Sequence, residues 1–90
     1  MRFMLKFTWN QPPTEEAMAL MPAEIKRGIE LAEQGIGEAA YQSADQSAAW
    51  AAWSVWNCES RDAVDEVIKT LPMHEFFNHD VTLLAEPYVP

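Results

Sequence analysis

Four side chains in this 90-residue chain could carry proton chemistry: Lys6, Glu24, His74 and His79. A lysine on a sheet face could bind a carboxylate, and that pair would be strong in an apolar pocket. A glutamate held against an apolar surface has a raised pKa and could act as a general base. Histidine exchanges protons near neutral pH. We therefore take Glu24 and His74 as candidate catalytic residues and Lys6 as a candidate substrate-binding residue.

Each of these residues also has a purely structural interpretation. Lys6 could extend to the rim of a sheet, and Glu24 could be a solvated acid in the first turn of a helix. The two histidines could pack on a helix end. They are five residues apart on a predicted loop, which is not a metal-ligand spacing, so no metal site is expected.

Aromatic residues are concentrated on two predicted strands. Tyr41, Trp50, Trp53 and Trp56 could stack against a flat ring if they face a cleft, or could pack in the core. We take Tyr41, Trp53 and Trp56 as further candidate substrate-binding residues. Cys58 ends the same apolar strand and has no basic neighbour in sequence, so a structural thiol is expected.

The composition limits the classes of function. Fourteen acids against six bases give a formal charge of -8, which argues against binding to nucleic acid or to an anionic membrane. A single cysteine allows no intrachain disulfide, and no signal peptide or membrane span is predicted. We expect one cytoplasmic domain over residues 1–90.

Apolar residues that alternate along the chain predict four strands, at residues 2–9, 36–43, 48–58 and 80–86. The first helix should begin at the Thr14 cap, kink or break at Pro22 and end at Gly35. Its expected apolar stripe comprises Ala17, Leu20, Met21, Ile25, Gly28, Ile29 and Ala32. A turn at residues 44–47 and a second helix, from the Ser60 cap to Pro72, complete the pattern.

The order βαββαβ predicts an α+β, ferredoxin-like fold: a four-stranded antiparallel sheet with both helices on one face. Residues 48–58 are apolar on both faces, so this strand should be central and covered on both sides. An apolar open face is usually an interface. Two sheets packed face to face would form a dimeric α+β barrel with a pocket between each sheet and its partner.

The chain resembles the muconolactone isomerase-like group of ferredoxin-like dimeric barrels. The residues that carry the resemblance are Phe3, Asn10, Pro12, Glu24, Glu30-Leu31, Gly35, Ala52-Trp53-Ser54-Val55, Glu59-Ser60, Leu71-Pro72 and Val81-Thr82. The resemblance implies a homo-oligomer built from dimers, no metal and no organic cofactor. It also implies that a proton moves between carbons of a small carboxylated ring. Three departures are Lys6, where the isomerases have arginine, Asp65, where they have histidine, and a few inserted residues around the hairpin at 44–47.

Two functions follow. The first is a cofactor-free isomerase, or a related cyclase or oxygenase, that binds a small aromatic or lactone carboxylate. The second is a ligand-binding or interaction domain with the same fold and no chemistry. The first needs a water-poor cleft with at least one cation and one proton carrier inside it, whereas the second predicts a cleft filled by the chain's own aromatic side chains.

Overall fold

The computed structural model describes residues 1–45 and 50–86. These residues form four strands and three α-helices, in the order β1 (Arg2–Trp9), α1 (Glu15–Ala19), α2 (Met21–Glu33), β2 (Gly37–Gln42), β3 (Ala51–Asn57), α3 (Arg61–Lys69) and β4 (Phe77–Leu83). A single turn of 3-10 helix, His74–Phe76, leads into β4. Within the described part, no helix is long and apolar enough to cross a membrane.

The strands form one antiparallel sheet in the order β2-β3-β1-β4. This is the order of a ferredoxin-like fold, so the predicted fold class is confirmed. The two interior strands, β1 and β3, face each other with Phe3 opposite Trp56 and Lys6 opposite Trp53. Because successive side chains alternate between faces, this register divides every strand between a helix-covered side and an open side.

The predicted helix caps are present. The Thr14 and Ser60 hydroxyl oxygens each accept a hydrogen bond, at 3.1 Å, from the backbone N–H three residues later. Pro22 lies in the first turn of α2, where proline lacks only an N–H that has no intrahelical acceptor. The break expected at Pro22 therefore separates α1 from α2.

The core lies between the helices and one face of the sheet. Strand β1 contributes Phe3, Leu5 and Phe7, all buried, and β3 contributes Trp56. Opposite them lie Leu31, Val64, Leu71 and Met73, from α2, α3 and the segment that follows α3. The alternation of β1 thus places every second side chain under the helices.

Among the described residues, no helix covers the other face of the sheet. One row crosses all four strands on this open face: Tyr41, Trp53, Lys6 and Asp80 are successive partners in the ladder. The Lys6 ammonium lies 6.0 Å from the centre of a Trp53 ring. We call this side the open face.

The expected stripe of the first helix largely faces the core and the sheet, and the start of the last strand was placed too late. Ala17 is buried and Met21 packs against the core, while Ile25, Gly28 and Ala32 line the space between α2 and the sheet. Ile29, 56% exposed and outside that lining, is the exception. Strand β4 begins at Phe77, not at residue 80, and His79 therefore lies in a strand.

The strands around the predicted hairpin are shorter than expected. Strand β2 covers Gly37–Gln42, inside the predicted 36–43, and β3 covers Ala51–Asn57. The first residues of the predicted strand 48–58 and the second half of the turn at 44–47 lie outside the described residues.

Candidate active site

A cleft of about 530 Å³ lies between α2 and the helix-covered side of the sheet. It is thus on the side opposite to the pocket expected between the sheet and a partner. Its walls are aromatic and aliphatic side chains, chiefly Phe7, Met21, Trp50, Trp56, Met73 and Phe77. The cleft is open and is not filled by these aromatics, which favours ligand binding over a plain core.

Glu24 lies on the wall of this cleft, in the first turn of α2. One of its carboxylate oxygens, Oε1, accepts a hydrogen bond of 2.8 Å from the Met73 backbone N–H. Burial raises the pKa of Glu24, against the opposing effects of that hydrogen bond and of the charge on His74. A carboxyl group that is both fixed in place and made more basic suits a general base.

Neither histidine belongs to the cleft lining, but His74 is close enough to Glu24 for its charge to act on it, and His79 pairs with Phe7 on the helix side of the sheet. His74 is half-buried in the 3-10 turn, directly after Met73. His79 lies edge-on to the Phe7 ring, with centroids 5.2 Å apart. Its Nε2 is buried and has no hydrogen-bond partner among the described residues. Burial, followed by the charge of His74, lowers the pKa of His79.

Neutral polar groups complete the lining. The Gln42 Oε1 accepts a hydrogen bond of 3.3 Å from the Trp50 indole N–H, and Ser54 lies on the same side of the sheet. Apart from Glu24, the charged residue of the described lining is Glu38, which pairs with the Arg2 guanidinium at 2.7 Å.

The candidate residues divide between the two faces of the sheet. Glu24 and Trp56 line the cleft, and Trp56 is only 4% exposed. Tyr41 is also among the lining residues, but it is 70% exposed and lies on the edge strand β2. Lys6 and Trp53 lie on the open face, so one small ring could not touch both Lys6 and Glu24 of the same chain.

Sequence reasoning missed several cleft residues. Phe77 was assigned to a loop, because the start of the last strand was placed three residues too late. Met73 does lie in a loop, directly before the 3-10 turn, and nothing in its sequence context indicated that it reaches the cleft. Gln42 and Ser54 could have been found from the sequence. Side chains alternate along a strand, so Gln42 shares a face with Ala40, and Ser54 shares a face with Ala52. Cys58 is buried, and burial raises the pKa of its thiol, consistent with a structural role.

The described residues do not form a metal-binding cluster. Across residues 1–45 and 50–86, no group of three or more His, Cys, Asp or Glu side chains is close enough to hold a metal ion. The cleft itself presents carboxyl, hydroxyl and amide groups of Glu24, Ser54 and Gln42.

Residues 1–88 match the model of the muconolactone delta-isomerase family. Among solved structures, the chain is similar to a muconolactone isomerase, with a TM-score of 0.77 and 21% sequence identity over 97% of this chain and 91% of that chain. A search of curated proteins gave no match.

Two other solved structures have the same fold. One is 5-chloro-2-hydroxyhydroquinone dehydrochlorinase from Burkholderia phenoliruptrix, in complex with 2,5-dihydroxybenzoquinone (TM-score 0.74, 13% identity, 97% of this chain and 96% of that chain). The other is the cofactor-independent oxygenase SnoaB from Streptomyces nogalater (TM-score 0.51, 11% identity, 96% and 93%). At these identities the likeness establishes the fold alone.

Proposed function

Because the chain belongs to the muconolactone delta-isomerase family, we propose that it is a cofactor-independent enzyme that moves a proton between carbon atoms of a small cyclic compound. The observation that carries this proposal is Glu24, a half-buried carboxyl group fixed on the wall of an open, apolar cleft. The similar structures are an isomerase, a dehydrochlorinase and an oxygenase. Because their reactions differ, the class of substrate has to be inferred from the cleft itself.

The proposed chemistry needs one base and a substrate in which an acidic C–H bond lies between a carbonyl group and a carbon–carbon double bond. The Glu24 carboxylate takes the proton, so a C–H bond breaks and an O–H bond forms. The electron pair passes into the carbonyl group to give an enolate. Glu24 then returns the proton to another carbon of the conjugated system, and the double bond moves without any net oxidation.

Neighbouring groups support this cycle. The hydrogen bond from Met73 fixes one Glu24 oxygen and leaves the other free to face the cleft. The Ser54 hydroxyl and the Gln42 amide can donate hydrogen bonds to an enolate oxygen. His74 follows Met73 directly and is close enough for its charge to affect Glu24, so we assign it the exchange of that proton with solvent.

Deuterium exchange tests the proposal. The C1 protons of 2-tetralone, an uncharged two-ring ketone, are acidic, and NMR in D₂O measures how fast the protein exchanges them. Glu24→Gln keeps an acceptor for Met73 but removes the base, so the rate should fall about 10²-fold or more. Lys6→Met, on the open face, should keep most of the wild-type rate.

The outcomes separate the two functions. Equal rates for wild type and Glu24→Gln would exclude Glu24 as the base. Binding of the ketone without any exchange above the protein-free rate would instead support the non-catalytic ligand-binding alternative.

A further inference from the structure

We propose that the cleft selects uncharged aromatic or quinoid molecules with hydroxyl or carbonyl groups, and that it discriminates against carboxylates. This inference rests on the proposed function in one respect, which is that the helix-side cleft is the substrate site. It departs from the carboxylated ring that the family resemblance implies.

No cation of the chain is part of the described cleft lining, although Arg2 pairs with the lining residue Glu38. The sequence contains six lysines and arginines, and all six fall within the described residues: Arg2, Lys6, Lys26, Arg27, Arg61 and Lys69. None of them is part of the described cleft lining. The eight residues outside the described part, 46–49 and 87–90, include no lysine, arginine or histidine.

Most of these cations are already paired with acids. Four ion pairs join Arg2 to Glu38, Arg27 to Glu30, Arg61 to Asp65 and Lys69 to Glu66, with N–O distances of 2.7–3.2 Å. Lys6 lies over Trp53 on the open face, and Lys26 is exposed on α2 outside the lining. A carboxylate in the cleft would therefore find no cationic partner on its own chain.

The charged residues of the described lining are acids, and Glu38 is already paired with Arg2, which leaves Glu24 as the carboxylate that a bound anion would meet. Glu24 and Glu38 are the charged residues of the cleft among those described, and the whole chain carries a formal charge of -8. A bound carboxylate would lose its hydration without a compensating ion pair and would be repelled by Glu24. Both effects act against anions.

An uncharged ring system would find complementary groups. Phe7, Trp50, Trp56 and Phe77 offer aromatic surface for stacking. The Gln42 amide N–H₂ can donate to a carbonyl oxygen while its Oε1 accepts from Trp50. The Glu24 carboxylate can accept a hydrogen bond from a hydroxyl group. At about 530 Å³ the cleft falls within the usual range for drug-sized ligands, about 300–1,000 Å³.

Calorimetry with two ligands of the same ring skeleton tests the inference. At neutral pH, 2-naphthol should bind the wild-type protein at least about tenfold more tightly than 2-naphthoate. Ala40→Lys adds a cation at an exposed sheet position that lines the cleft. It should improve 2-naphthoate binding about tenfold or more, with little change for 2-naphthol.

Ala19→Lys is the matched control, since it makes the same change at an exposed residue outside the cleft lining. It should leave both affinities unchanged. Tighter binding of 2-naphthoate by the wild type would overturn the inference, as would binding of neither ligand. If the predicted preference holds but 2-tetralone exchange does not depend on Glu24, the proposed function fails and the ligand class stands.

Discussion

At the scale of single residues, Glu24 is the side chain on which the proposed chemistry depends. Family resemblance pointed to it from the sequence, and the structure adds the reason it could be reactive: burial beside an apolar cleft with one fixed hydrogen bond. Met73 and Phe77 could not be found in the same way. They reach the cleft only because the chain turns at His74–Phe76 before β4 begins, and no alternation in that short segment marks the turn.

The raised pKa of Glu24 predicts how stability depends on pH. The folded state holds the Glu24 proton more strongly than the unfolded state, so its contribution to stability falls as pH rises above the ordinary value of 4.5. Glu24→Gln removes the buried charge that lowers stability at higher pH, and its amide oxygen can still accept the hydrogen bond from the Met73 N–H. The variant should therefore melt a few degrees above the wild type at neutral pH. The difference in melting temperature should disappear below pH 4.5, the ordinary pKa of a glutamate.

Melting curves over this pH range, followed by circular dichroism, provide the measurement. Glu66→Gln is the control, because Glu66 is exposed and its pair with Lys69 is a surface salt bridge of little expected value. A Glu24→Gln variant that is less stable than the wild type at neutral pH would show that the charged carboxylate stabilises the fold.

At the scale of elements, α2 determines the shape of the cleft. It ends in a Schellman motif: the Ile36 N–H donates to the Leu31 carbonyl at 3.0 Å and the Gly35 N–H to the Ala32 carbonyl at 3.1 Å. Gly35 has a φ of +79°, a conformation that glycine adopts without steric cost. This end was predictable because a glycine followed a helical pattern. The exposed position of Ile29 was not, because an apolar residue at helical spacing need not be covered by another element.

Two glycine substitutions test this description of α2. Gly35→Ala should cost about 1 kcal/mol in the free energy of unfolding, because alanine is strained at positive φ. Gly28→Ala, within the same helix, should instead stabilise by about 0.5–1 kcal/mol, since an added Cβ would meet no atom within 4 Å. Urea denaturation measures both. Changes of the same sign would contradict the assigned helix end.

At the scale of the whole molecule, the sheet separates two surfaces with different proposed roles. The helix-covered side holds the cleft, and the open face carries half-buried Met4, Trp53 and Val55. The order of strands and helices followed from the sequence, because caps, prolines and alternation agree along the chain. The sequence did not indicate which side of the sheet holds the cleft, because that depends on the distance between α2 and the sheet.

We propose that the open face is where two chains associate, since it is the side left uncovered by helices. Trp53→Asp would place an unpaired charge in that interface, so it should convert a dimer to a folded monomer. Ile29→Asp makes a charged substitution on α2, away from this face, and should leave the dimer intact. Light scattering gives the mass in each case. A dimer that persists in Trp53→Asp would place the interface elsewhere.

We propose that ligand binds on the helix-covered side of the sheet, next to Glu24. The indole N–H signals of Trp50, Trp53 and Trp56 in a ¹H–¹⁵N NMR spectrum distinguish the two sides directly, because Trp50 and Trp56 line the cleft and Trp53 lies on the open face. Titration with 2-naphthol should shift the Trp50 and Trp56 signals and leave Trp53 in place. Movement of the Trp53 signal alone would contradict the account.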